Sequence, residues 1–232
     1  MERKTFTMIG VILVLLVFTS CSSSPEEGLL KSYFNAVTLN DATTMSTMAL
    51  EPMAVDLQSW EILSVTEEKV EPPKLTDLNM KELDFKKQLE QSVGITLDAR
   101  DILDDAKFDL ERARTAAARR AARGKVNEQQ EKYDEQYERH KNLQKEYNEA
   151  KAASGREEEI AYFSLGQRVG DLPTIRDFIG NVHFKEVDIR VLDIEGVSKD
   201  YRLNLRRYEL EDEVLSLSHR GRWVILNFEL IS

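Results

Sequence analysis

Apolar residues recur along this chain at three rhythms. Residues 8–18 form one unbroken apolar run. Leu29, Leu30, Tyr33, Phe34 and Val37 then repeat at helical spacing, behind Pro25 and two acids that suit a helix start. "DATTMSTMALEPM" predicts a second, shorter helix that stops near Pro52, and "WEILSVTEEKVEPP" predicts a strand ended by Pro72 and Pro73. Towards the C-terminus the period falls to two. Val187, Ile189 and Val191 alternate with Asp188 and Arg190. Tyr201, Leu203 and Leu205 keep one phase, and Tyr208 and Leu210 the other, as across a β-bulge. "EVLSLSHRGRWVILNFEL" predicts a hairpin turning near His219 to Arg222, and "DLPTIRDFIG" a short helix before the strands.

Between these parts, residues 76–153 are rich in Ala, Lys, Glu, Gln and Arg, without proline, and their only glycines are Gly94 and Gly124. That is helix composition. One straight helix of this length would span roughly 115 Å and hold the flanking strands apart, so a hairpin is expected. Gly94 would end a base helix that packs through Leu78, Leu83, Leu89 and Val93, and Gly124 would make the turn. The arms would be residues 97–123 and 125–153. Leu103, Ala106, Leu110, Ala113 and Ala117 on the first would face Val126, Tyr133, Tyr137, His140, Leu143, Tyr147 and Ala150 on the second. Folding at Gly124 would set Arg120 against Glu128, Arg114 against Asp134, Asp109 against Arg139, Asp104 near Lys145 and Asp98 near Lys151.

The expected fold class is α+β. A small antiparallel-sheet domain with helices, residues 28–75 and 154–232, is interrupted by the base helix and coiled-coil hairpin of residues 76–153. The stretches "LLKSYFNAVTLND", "SWEILSV" and "GRWVILNFEL" give the flanking domain a resemblance to the nuclear-transport-factor-two-like (cystatin-like) group. That resemblance implies a cone-shaped sheet, and the long charged insertion departs from the group's pattern.

Charge and cysteine usage locate the chain. Arg3 and Lys4 precede the run 8–18, which is too short to span a bilayer. Thr19, Ser20 and the lone Cys21 follow. The segment is similar to the lipobox of bacterial lipoproteins, with Phe18 standing where Leu or Val is usual. The resemblance implies a signal peptide over 1–20, lipid on Cys21 and a tether over 21–27. Ser22 after the cysteine implies the outer membrane, facing the periplasm. With Cys21 acylated no thiol is left for a disulfide, so packing alone must hold the fold.

The chain carries a formal net charge of -10, yet residues 112–125 hold five Arg and one Lys and no acid. Export and the lack of aromatic residues in that run argue against a nucleic-acid partner. The run is expected to be half of an internal charge pattern. Its alternative is a basic hairpin end formed by Arg119, Arg120, Arg123 and Lys125, touching lipid phosphate, cell-wall carboxylate or an acidic protein. His140, His183 and His219 have no metal-ligand spacing, no phosphate loop or nucleophile elbow occurs, and "REEEIAY" is expected to serve a helix N-terminus. No cofactor or metal is expected. The expected function is a non-enzymatic envelope lipoprotein with a hairpin arm for a protein partner. A small-ligand or lipid-binding module on the concave sheet is the alternative, and an efflux-pump adaptor ranks lower for want of paired lipoyl-like half-motifs.

Replacing Cys21 by Ser should abolish acyl labelling and release the protein from the membrane fraction. Retained labelling and sedimentation with membranes would refute the lipoprotein assignment.

Overall fold

The computed structural model describes residues 25–231 apart from Ala54. The expected signal segment and Cys21 lie outside the described residues. The fold is α+β, an antiparallel sheet with a long helical pair. Helices α1 (Pro25–Thr38) and α2 (Ala42–Met48) come first, then strands β1 (Leu57–Val65) and β2 (Lys69–Glu71). Helices α3 (Leu75–Arg112) and α4 (Ala116–Leu165) follow, then a single 3-10 turn, Ile175–Asp177. Strands β3 (Ile179–Asp193), β4 (Ser198–Asp212), β5 (Leu217–Arg220) and β6 (Val224–Leu230) close the chain. The sheet runs β1-β3-β4-β5, with β2 also on β3 and β6 also on β4.

The chain divides into two compact units, and β3 and β4 each run through both. The first unit takes the described residues up to Ser64, Val187–Leu203 and the segment from Trp223 onward. Its core is the face of α1 foreseen from spacing: Leu30, Tyr33, Phe34 and Val37 are buried. Phe34 stacks on Trp60 at 4.7 Å, and Tyr33 meets Phe228 at 5.3 Å between centroids. The Met53 amide donates to the Tyr33 hydroxyl at 2.7 Å, giving the buried phenol a partner. Val187, Ile189 and Val191 point inward, as the alternation predicts. Trp223, Val224 and Ile225 are all buried, so both faces of β6 are covered at its start.

The second unit takes Val65–Glu186 and Asn204–Arg222. Burial on β4 does change phase, from Leu203 and Leu205 to Tyr208 and Leu210. The expected hairpin at His219 to Arg222 is replaced by a different path. The chain turns between Asp212 and Leu217, and β5 and β6 both pair with β4. Gly221 sits at the break between them. A Cβ there would stand 2.9 Å from the Tyr208 carbonyl oxygen and 2.3 Å from the Ser164 hydroxyl, so only glycine lets the chain at 221 come this close to β4 and α4.

The helical pair is the hairpin, but its turn is not at Gly124. α3 runs unbroken through Gly94, α4 runs unbroken through Gly124, and the reversal falls at residues 113–115. There is accordingly no separate base helix, and Leu83 and Val93 are exposed rather than packed. At about 1.5 Å per residue, 38-residue α3 is roughly 57 Å long and 50-residue α4 roughly 75 Å. The seam keeps a three-four repeat on both helices. Ser92, Thr96, Ala99, Leu103, Ala106 and Leu110 line it on α3, and Gln136, His140, Leu143, Tyr147, Ala150 and Ser154 on α4. Tyr137, expected there, is turned out and Gln136 takes its place.

Polar pairs across the seam set the register. Ser92 Oγ lies 2.8 Å from His140 Nδ1, the Thr96 hydroxyl donates to the Gln136 carbonyl at 3.4 Å, and the Ser154 hydroxyl donates to the Glu82 carboxylate. This register separates the cross-arm charge pairs expected from a turn at Gly124. Arg120 and Glu128 now lie on the same helix, and Asp109 meets Lys125 at 3.1 Å instead of Arg139.

The base of the hairpin is held by ion pairs. Arg176, from the 3-10 turn, donates from Nη1 to Glu82 of α3 at 2.8 Å and from Nε to Glu158 of α4, also at 2.8 Å. Arg206 of β4 donates to Glu157 at 2.9 Å, and the Tyr208 hydroxyl donates to the same carboxylate at 2.6 Å. Burial, and then the Glu157 charge, push the Tyr208 phenol well above its usual range, so it stays protonated and able to donate. The acids of "REEEIAY" therefore lie inside α4 and tie it to neighbouring elements, rather than beginning a helix.

Gly124 has open space around it inside a helix. Gly124→Ala should stabilise the helical pair by about 0.8–1 kcal/mol, read as a higher midpoint in far-ultraviolet melting. Gly221→Ala should lower the midpoint. Destabilisation by Gly124→Ala would mean that the chain does not continue as helix there.

Candidate interaction surface at the hairpin end

Reversal at residues 113–115 puts the basic run 112–125 at the end of the hairpin. The local chemistry explains the turn. Thr115 leaves the helical region at φ -100° and ψ 154°, and its hydroxyl accepts the Ala118 amide at 3.1 Å. This N-cap satisfies a donor that the first turn of α4 would otherwise leave open. On the other side Ala113 is extended and its amide returns to the Leu110 carbonyl at 3.3 Å. Arg119 closes the loop, its Nε donating to the Ala113 carbonyl at 2.9 Å.

Each residue named in advance for this end can be placed. Arg119, Arg120, Arg123 and Lys125 lie on the first turns of α4, and all four are exposed. Arg119 braces the turn, and Lys125 joins α4 to Asp109 of α3 at 3.1 Å. Two cations join them that the sequence did not single out for the end. Arg114 lies in the turn itself, and Arg112 lies over the Phe108 ring at 4.0 Å. Arg114, Arg120 and Arg123 have no hydrogen bond or ion pair among the described residues. Their neighbours Ala116, Ala117, Ala118 and Ala121 are exposed and small, so nothing shields the guanidinium groups. Residues 109–125 carry six cations against only Asp109 and Glu111, and the open amides of the α4 N-terminus add positive potential. This end can bind anions, and nothing in it resembles a nucleophile or a general base.

A second polar assembly escaped sequence reasoning, because its members are far apart in the chain. His183 Nδ1 lies 2.5 Å from Glu68, and its Nε2 lies 3.3 Å from Glu209. Arg207 reaches both carboxylates at 3.4 Å, Arg220 reaches Glu209 at 3.0 Å, and Lys185 stands 3.9 Å from Glu68. Glu68 immediately precedes β2 and the other residues come from β3, β4 and β5, so opposite charges meet across neighbouring strands, as cross-strand pairing favours. His140 belongs to the helical seam, and His219 stacks on Phe178 at 5.4 Å. Among the described residues no group of three or more metal-ligating side chains could hold an ion, and no helix is long and apolar enough to cross a membrane. No family model, curated protein or solved structure matches this chain.

Proposed function

We propose that this chain is a non-enzymatic cell-envelope lipoprotein that acts as a tethered interaction module. Lipid on Cys21 holds it to the outer membrane on the periplasmic side, and the helical hairpin is its arm. The observation that carries this reading is the hairpin end, where six cations face solvent and three of them are without a partner among the described residues. By contrast, Arg176 and Arg206 at the other end of the hairpin are neutralised by carboxylates of the fold. Arg114, Arg120 and Arg123 are hydrated rather than paired within the chain, so they are open to a partner that presents negative charge. A recess of about 430 Å³ in the first unit, beside Val37, Met45, Pro52 and Met53, is lined by few convergent polar groups. Asn40 and Asp56 are the only side chains on its lining able to hydrogen-bond a ligand, against six exposed cations at the hairpin end.

The test uses the wild-type Cys21, whose thiol is consumed by acylation, with a single reporter thiol at Ala117→Cys. In isolated envelopes at low salt that thiol should be protected from an uncharged maleimide. It should become reactive in about 1 M salt, where the screening length is about 3 Å. A second reporter, Gln91→Cys, exposed midway along α3, should react equally in both. Equal reactivity of the Ala117→Cys thiol at low and high salt would show that the arm engages no anionic partner.

A further inference from the structure

We infer that the hairpin pairs with a second copy of this chain, antiparallel to it, through the face of α3 and α4 beside their common seam. The inference goes beyond the basic hairpin end discussed above and does not depend on it. It starts from an apolar patch midway along the hairpin. Val93 and Tyr137 are 44% exposed and Leu97 is 50% exposed. With Tyr133 they border a hollow of about 190 Å³.

The order of side chains on either side of that patch decides the occupant. Lys86, Glu90, Val93, Leu97, Arg100 and Asp104 are all exposed. At about 100° per residue they fall within an arc of roughly 80° on α3, about 110° round from the seam. Their spacing of four, three, four, three and four residues reads the same from either end. A two-fold axis level with residue 95 therefore sets each against another member of the stripe. Lys86 meets Asp104 of the second copy, Glu90 meets its Arg100, and Val93 meets its Leu97. Arg100 and Asp104 already stand 3.7 Å apart on their own helix, so the copies together close a run of alternating charge at each end of the patch. On α4, Gln130, Asp134, Tyr137, Lys141, Gln144 and Asn148 repeat the same spacing, centred on residue 139. The hairpin register puts the two centres side by side. Ser92 lies against His140 and Glu82 against Ser154, so position 95 comes opposite about residue 139. One two-fold axis thus serves both helices. On α4 it sets Asp134 against Gln144 and Tyr137 against Lys141, whose ammonium already lies 5.8 Å from its own Tyr137 ring. No like charges meet within either stripe. A parallel copy would bring two basic ends of six cations each side by side, whereas the antiparallel one parts them. The paired stretch, from residue 86 to residue 104, is roughly 27 Å long. Two helices wide, it covers on the order of 1,000 Å² in all, about what a specific interface needs. A charge order that is its own complement is matched by a second copy of the chain with no further partner.

Two experiments test this. In the first, a photoreactive amino acid replaces Leu97 of the full chain in cells. Light should yield an adduct of twice the chain mass that joins position 97 to the α3 segment around Val93 of a second copy. Adducts only to another protein, to lipid or to α4 of a second copy would overturn the inference, as would the absence of any adduct of twice the chain mass. In the second, the full chain with Cys21→Ser is held in excess non-ionic detergent and its association is read by sedimentation. The N-terminal apolar run is common to every variant, so differences between variants report the hairpin. Glu90→Arg or Arg100→Glu alone sets like charges together at both ends of the patch and should weaken association at least about ten-fold. The two variants mixed should associate with each other as the parent does, since each supplies the charge the other lacks. One chain carrying both changes should recover as well, which a variant that had merely misfolded would not. Single variants that associate like the parent would overturn the inference. So would a loss that neither mixing nor the double change restores.

Discussion

Where α3 meets α4, the three-four repeat is interrupted by polar residues that have to find one another. A wholly apolar seam of alanine and leucine could slide by a heptad at modest cost. This one cannot, because Glu82, Ser92 and Thr96 on α3 are matched by Ser154, His140 and Gln136 on α4. Slippage would leave those groups in the seam without partners, and an unmet polar group costs about 1–3 kcal/mol. Polar residues at seam positions are a known means of fixing coiled-coil register. Once the register is fixed, so is the reversal at residues 113–115, and with it the display of the basic run at the end of the hairpin. A turn nine residues later would have set several of the same arginines against the acids of the second arm.

The base of the hairpin depends on the same logic with stronger groups. Arg176 reaches a carboxylate on each helix, and Arg206 and Tyr208 share Glu157. These side chains are largely withdrawn from solvent, so removing one partner would leave a charge uncompensated, which is more damaging than losing a surface pair. Positive charge is thus neutralised at the base and left open at the end. The contrast within one hairpin is what distinguishes a structural arginine from one available to a partner.

Much of this was legible in the sequence, for identifiable reasons. The face of α1, the alternation on β3 and the phase change on β4 follow from periodicity, which burial enforces directly. The existence of a hairpin followed from the geometry of returning to the sheet. The position of its turn was not legible from glycine, because one glycine in the interior of a long helix costs only about 1 kcal/mol and the seam outweighs it. The available signal was Thr115, the only Ser or Thr between Thr96 and Ser154, a residue type suited to an N-cap where glycine was not needed. The roles of Glu157 and Glu158, and the His183 assembly, were hidden because their partners lie far along the chain. The path of β5 and β6 was hidden because both strands pair with β4 instead of with each other.

The register itself is open to a direct measurement by pulsed distance spectroscopy, in a Cys21→Ser background. Paired spin labels at Arg100 and Glu131 compare with paired labels at Arg100 and Asn148, all exposed positions. The turn at residues 113–115 places Arg100 nearly opposite Glu131, with helix axes roughly 8–10 Å apart. It sets Asn148 about 24 Å further along the hairpin. The pair at 100 and 131 should therefore give the short distance and the pair at 100 and 148 the long one. The reverse order would place the turn near Gly124, withdraw the basic run from the hairpin end and contradict the account.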